Sequence, residues 1–252
     1  MTSVGPMQTA PVPAEATVPF TPLAGLRAAG YYAVVIPIML LIALIATLCY
    51  PLRYRICMQW VRFSLWWLRL VCGLDHTVEG REHVPRQGTA IVACNHQSAW
   101  ETLSLMLIFP PQCILVKREL LWVPILGWGL MLVRAIAVDR GGAGAVAVRR
   151  MLRKCEQRLA EGRWIALFPE GTRSTPGTPG HYRGGIGVLA ARTGRPVIPV
   201  RHDAGRYWPR NSFCKRPGTI RLRIGPPIDS RGKSAEQITR LVQHWIESPE
   251  PR

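Results

Sequence analysis

Two short stretches hold the residue types and spacings that could do chemistry. In Asn95-His96-Gln97-Ser98-Ala99-Trp100-Glu101 a histidine stands five residues ahead of a carboxylate, with a hydroxyl between them. An imidazole with its unperturbed pKa of about 6.5 can take a proton from a hydroxyl at neutral pH. The acid five residues on suits two roles. It can fix the imidazole's tautomer and steady the imidazolium, or it can complete a helix capping box with Ser98. In Phe168-Pro169-Glu170-Gly171-Thr172-Arg173-Ser174 an apparent buried strand ends in a turn that carries an arginine. Gly171 lets the backbone approach a ligand closely. The planar fork of Arg173 matches a phosphate, and Glu170 can hold that arginine or bond a hydroxyl. A base with an orienting acid, joined to an anion clamp, is equipment for moving an acyl group onto a phosphorylated alcohol.

The elements that must position these residues read as α/β. Strands are expected at 89–94, 112–116, 134–138, 164–168, 196–200 and 219–224. Helices are expected at 98–108, 144–160, 184–192 and 235–246. Strands alternating with helices imply a mostly parallel sheet covered by helices on both faces, with sites just past the strand ends. His96 stands at such an end. Leu120 to Val133 is mostly apolar around Gly127-Trp128-Gly129; it suits an acyl groove, a segment dipping into lipid, or a buried core helix. Arg149, Arg150, Arg153, Lys154 and Arg158 crowd one helix, as a surface for anionic headgroups or as a solvated face.

A different pattern precedes this domain. Residues 1–26 are rich in Pro, Ala and Thr and read as a flexible tail. Tyr31 to Tyr50 is free of charge and broken only by Pro37; at about 1.5 Å per residue it spans about 30 Å, the thickness of a bilayer core. The region before it has little positive charge and no small-x-small site follows, which argues against a cleaved signal peptide. Arg53, Arg55, Arg62 and Arg69 follow while only Arg27 precedes, so the positive-inside bias puts the rest of the chain in the cytoplasm. Trp60, Phe63, Trp67, Leu70 and Leu74 recur at helical spacing opposite arginines, as in a helix lying in the headgroup layer or, alternatively, an amphipathic helix docked on its own core. The expected organisation is a tail (1–26), membrane-anchoring helices (27–74) and a catalytic domain (75–252).

Composition narrows the alternatives. The 252 residues carry 32 basic and 15 acidic groups, a formal charge of +17 that draws the chain toward polyanions. No helix-turn-helix, aromatic RNA-binding strand pattern or zinc module appears, so nucleic acid is not the expected partner. The seven cysteines form no C-x-x-C pair, and Cys94, inside an apolar strand, reads as a core residue rather than a nucleophile. No metal site is expected. A hydrolase reading lacks its Gly-x-Ser-x-Gly elbow.

Asn-His-x4-acid, then Val138-Asp139-Arg140, Phe-Pro-Glu-Gly-Thr-Arg-Ser and Val197-Ile198-Pro199-Val200 stand in the order and spacing of the glycerolipid acyltransferase family, which the chain resembles from about 75 to 230. The resemblance also takes in Lys117-Arg118-Glu119-Leu120 and the Gly218 to Ile228 stretch. It implies that His96 is the general base and Glu101 its partner. It implies too that Arg140, Glu170, Gly171, Thr172, Arg173 and Arg183 bind the acceptor's phosphate and glycerol. Lys117 would add positive charge near that phosphate or the developing oxyanion, and Pro199 would belong to a block tied to the acyl-donor side or to shaping the cleft. The implied substrates are lysophosphatidic acid and acyl-CoA or acyl carrier protein, with no further cofactor, at the bacterial inner membrane. A lyso-ornithine lipid is the alternative acceptor, and a non-catalytic basic membrane-binding protein the alternative class. Two departures stand out: Glu101 replaces the usual aspartate, and Arg183 stands where many relatives carry lysine.

Overall fold

A computed structural model of the chain describes residues 21–138, 145–178 and 180–248. The tail expected over 1–26 lies outside these residues up to position 20, but its last part is helical. Helix α1 (Pro22–Leu48) starts there, with the Thr21 side chain accepting the Ala24 N–H at 3.2 Å and Pro22 in the first turn. That is where proline's fixed φ and missing N–H fit a helix without loss. A short 3-10 turn, Tyr50–Leu52, leads into α2 (Arg53–Cys72), which stops at Gly73 in the left-handed region (φ 63°).

These two helices form an antiparallel hairpin. The Tyr31 and Ser64 hydroxyls bond at 2.7 Å, Trp60 Nε1 donates to the Val35 carbonyl, and Trp67 Nε1 donates to that of Gly30. Of the aromatic face expected on α2, Trp60, Phe63 and Trp67 are half-buried against the core and Leu74 begins a strand, while Leu70 is 62% exposed. The indole N–H groups of Trp60 and Trp67 find acceptors on α1. Further exposed apolar surface lies on α1, where Leu41, Leu44 and Leu48 are more than half exposed.

Seven strands form the sheet: β1 (Leu74–Glu79), β2 (Ile91–Cys94), β3 (Gln112–Lys117), β4 (Ile136–Val138), β5 (Trp164–Leu167), β6 (Val197–His202) and β7 (Gly218–Ile224). Their order is β1-β7-β6-β2-β5-β3-β4, parallel throughout except for the antiparallel β6–β7 pair. The remaining helices are α3 (Trp100–Ile108), α4 (Leu126–Leu132), α5 (Ala145–Ala160), α6 (Gly185–Thr193) and α7 (Ala235–Glu247). β2, hydrogen-bonded on both sides, is buried at all four residues, as a central strand covered on both faces must be. Alternate residues feed two cores. Val92 and Cys94 join the core under α1 to α4; Ile91 and Ala93 join the core under α5 to α7. The α1 hairpin therefore covers one face of the sheet and the basic helix α5 the other.

One contact ties the hairpin to the segment before β7. Lys215 is 1% exposed, with its ammonium 4.8, 3.8 and 4.4 Å from the ring centroids of Tyr31, Tyr32 and Trp208. Ring faces, rather than a carboxylate, receive this charge.

Candidate active site

His96 leaves the C-terminal end of β2, the edge where parallel sheets place their clefts. Its Nδ1 lies 2.7 Å from Glu101 Oε1, and its ring stacks on Phe168 with centroids 4.0 Å apart and planes 13° apart. Glu101 is fully buried. Burial alone pushes its carboxyl up, but the neighbouring His202, the hydrogen bond from His96 and the Ser98 N–H outweigh that and hold it below its ordinary range. An ionised carboxylate only accepts, so Nδ1 carries the hydrogen and Nε2 keeps its lone pair as the ring's basic atom.

The capping box is only half formed. Helix α3 begins at Trp100, and the Ser98 hydroxyl accepts the Trp100 N–H at 3.2 Å instead of closing a reciprocal pair with Glu101. Glu101 Oε1 accepts the N–H groups of Gln97 (3.1 Å) and Ser98 (2.9 Å) in addition to His96. The carboxylate thus organises the turn and orients the ring with one oxygen, and the extra methylene over aspartate does not break the pair.

A second histidine, which the motifs do not single out, completes this centre. His202 is buried, its Nε2 3.8 Å from Glu101 Oε2 and 3.0 Å from the Asn95 carbonyl. Burial holds this ring below its ordinary range in spite of Glu101. Asn95 returns the contact, Nδ2 donating to the His202 carbonyl and Oδ1 accepting the His202 N–H. These bonds lock the end of β6 to the end of β2. The only signal in the sequence is a histidine just past the Val197 to Val200 run, which its type alone does not distinguish from a core histidine.

The second motif closes over the first. Glu170 Oε1 accepts the His96 N–H at 3.2 Å, and the Ser174 N–H and hydroxyl both donate to the His96 carbonyl. Burial raises the Glu170 carboxyl above its usual value, and its Oε2 is buried with no hydrogen-bond partner. Such an oxygen suits an incoming hydroxyl or cation. Gly171 takes the left-handed conformation (φ 69°), and a Cβ there would lie 3.2 Å from Arg183 Nε, so the Arg183 side chain passes directly over the turn. The Arg183 N–H donates to the Pro169 carbonyl. Arg173 is partly exposed, and its carbonyl receives a bond from Arg210.

The other expected residues fall in different places. Thr172 is exposed on the same turn. Lys117 ends β3 at the same sheet edge but pairs with Glu119 at 3.1 Å and is half exposed. Pro199 departs from its expected place in the cleft: it is buried in β6 opposite Ala93, where its carbonyl accepts the Gly225 N–H. It supports the strand that carries His202. Arg140 lies outside the described residues. Cys94 is buried, and burial pushes its thiol well up, which keeps it protonated and inert. No group of three or more His, Cys, Asp or Glu able to hold a metal occurs among the described residues.

Comparison with known proteins bears on this arrangement. A family model described as "Acyltransferase" matches residues 75–203. The 1-acyl-sn-glycerol-3-phosphate acyltransferase of Pseudomonas aeruginosa is 40% identical over 198 residues, covering 77% of this chain and 76% of that one. The mouse 1-acyl-sn-glycerol-3-phosphate acyltransferase alpha is 28% identical over 188 residues, 73% of this chain and 66% of its own. The crystal structure of a 1-acyl-sn-glycerophosphate acyltransferase from Thermotoga maritima superposes with a TM-score of 0.67 at 23% identity, over 91% of this chain and 97% of that one. At that identity the likeness speaks to the fold.

Proposed function

Because the chain belongs to the acyltransferase family, we propose that it moves a fatty acyl group from a thioester donor to the 2-hydroxyl of 1-acyl-sn-glycerol 3-phosphate, making phosphatidic acid at a membrane surface. The observation that carries this reading is the His96–Glu101 pair, 2.7 Å apart with the acid buried and ionised. His96 Nε2 takes the proton of the acceptor hydroxyl as its oxygen attacks the thioester carbonyl. The tetrahedral intermediate collapses, the C–S bond breaks, and the imidazolium returns the proton to the leaving thiolate. Glu101 stabilises the imidazolium between these steps. The thioester is already activated, so the transfer needs no further cofactor.

The acceptor phosphate is held by Arg173 and Arg183, with Arg140 and Lys117 adding charge. Thr172 and the Gly171 backbone line the turn, and the open oxygen of Glu170 meets a glycerol hydroxyl. An apolar cavity bounded by Met39, Val61, Leu103, Met106, Leu130 and Val133 suits a fatty chain. Leu103 and Met106 line it from α3, the helix that carries Glu101.

The same residues support a membrane location. If α1 crossed the bilayer, α2 would return through it with Arg62 in its middle, costing about 2.5–3.5 kcal/mol near the centre. A hairpin lying in one leaflet, α1 outermost, keeps that group at headgroup level. The catalytic domain then faces the cytoplasm at the inner membrane, where acyl-CoA and acyl carrier protein reside.

An acceptor panel tests the reading. Purified protein in detergent, given labelled acyl-CoA or acyl carrier protein, is expected to acylate lysophosphatidic acid in preference to a lyso-ornithine lipid or glycerol 3-phosphate. Preference for the lyso-ornithine lipid would overturn the phosphate assignment and keep the base.

A further inference from the structure

Residues 120–133 carry no charge, and much of their apolar surface faces outward. A 3-10 helix, Arg118–Trp122, is followed by α4 (Leu126–Leu132), and between them the chain doubles back with Ile125 at φ 70°. That value is a genuine outlier for a β-branched residue. The reversal leaves Trp122 82%, Met131 53%, Trp128 51%, Val123 42% and Leu126 41% exposed. Such a concentration of exposed apolar side chains on one short segment marks a contact surface. The opposite side of α4 is no more polar: Leu130 and Leu132 are buried and line the cavity shared with α1, α2 and α3. A helix apolar on every side belongs in a core or in hydrocarbon.

Its neighbours decide which. α4 packs against both α1 and α2, so its outer surface continues the apolar side of α1 that carries Leu41 and Leu44. Whatever receives α1 also meets Trp122 and Trp128. Lys117 and Arg118 precede the segment, Lys117 paired with Glu119 at 3.1 Å, and its exposed indoles are the side chains that favour a membrane interface. We propose that the 3-10 helix and α4 form a second bilayer-inserted element beside the hairpin, serving as the wall between the leaflet and the apolar cavity. A fatty chain would then reach the cavity from the hydrocarbon without crossing water. The inference rests on the membrane reading of α1 and extends it to a segment of the catalytic domain.

Site-directed fluorophores on the full chain test this separately from the membrane reading. In a Cys49→Ser, Cys214→Ser background, the remaining cysteines are buried. An environment-sensitive dye is attached to Leu44→Cys, Trp122→Cys, Trp128→Cys or Gln157→Cys, all exposed positions whose labelling leaves the core intact. Each protein is mixed with vesicles of phosphatidylethanolamine and phosphatidylglycerol doped with a nitroxide-tailed phosphatidylcholine. Quenching at 122 and 128 within about twofold of that at 44, with none at 157 on the opposite face, is the expected result. Quenching at 44 but not at 122 or 128 overturns the second element and leaves the hairpin in place. The same follows if vesicles leave 122 and 128 dry while a second copy of the chain covers them. Quenching at none of the four overturns the membrane reading and this inference together.

Discussion

Glu101 gathers three N–H groups on one oxygen and leaves the other facing His202, while Glu170 accepts the His96 N–H on one oxygen and leaves its second without a partner. Two carboxyls beside one imidazole are thus pushed in opposite directions by their surroundings. The Glu101 pKa is depressed, so its contribution to stability is present above the ordinary glutamate value and is lost as pH falls through the folded one. Its charge is present throughout the range in which His96 acts as a base. Glu101→Gln keeps the size and removes the charge. Turnover is expected to fall by about 10²-fold or more, checked by steady-state rates with both substrates saturating; a wild-type rate would leave Glu101 as a turn-organising residue only. Glu170 behaves in reverse. Its raised pKa means that ionising it costs stability as pH climbs through the carboxylate range. Glu170→Gln is therefore expected to be more stable than wild type at neutral pH by about 1 kcal/mol, with the gain vanishing in acid, while the acceptor KM rises. Thermal melts at two pH values and an acceptor titration read both effects.

At the scale of elements, the sheet and its covering helices were legible because their residues alternate cleanly. Val92 and Cys94 face one core and Ile91 and Ala93 the other, which is what a continuous apolar run between turn signals implies. The parts that were not legible have local reasons. α4 hides behind Pro124, Gly127 and Gly129, residues that ordinarily interrupt a helix. Gly127 is required there because a Cβ would meet the Leu121 carbonyl at 2.0 Å. β1 is a half-exposed edge strand that pairs with β7, more than a hundred residues later, and no local pattern announces such a partner. The aromatic stripe of α2 has the spacing of a lipid-facing helix, yet it docks on α1, because periodicity shows that a face is apolar without saying what covers it. The base, its acid and the turn over them were readable from motif order. His202 was not, since its role depends on the β2–β6 register. Helix α6, which begins just after Arg183, leads into β6. Gly187 on α6 lies so close to α7 that a Cβ would stand 1.8 Å from the Ala235 carbonyl. Gly187→Ala is expected to cost about 2–3 kcal/mol by forcing the two helices apart, seen as a lower melting temperature.

The whole molecule is two-sided. The α1–α2 hairpin and the exposed side of α4 gather apolar surface on one face of the sheet, and α5, with Arg149, Arg150, Arg153 and Lys154 exposed, lies on the other. Lys215, wrapped by rings from α1 and from Trp208, fastens the apolar half to the domain that carries the site. A base at the C-terminal end of β2, in a molecule with one apolar side, is suited to a substrate whose reactive hydroxyl sits at headgroup level. The net charge of +17 adds attraction to an anionic leaflet. Replacing the outward Leu41 and Leu44 together by glutamine removes two exposed apolar side chains of α1 without touching the site. Vesicle affinity is expected to fall by at least about 100-fold, measured by co-sedimentation, while transfer to a short-chain, detergent-dispersed acceptor remains within a few fold of wild type.

In the proposed reaction His96, held by Glu101, removes the proton of the acceptor hydroxyl. The most direct test of this step is the rate of phosphatidic acid formation by His96→Ala, with lysophosphatidic acid and acyl thioester both saturating and folding verified by the same melting transition as wild type. Loss of about 10²–10⁴ in turnover, with acceptor binding retained, is the predicted result. Turnover within a few fold of wild type would contradict it and would require another group in this cleft to carry the proton.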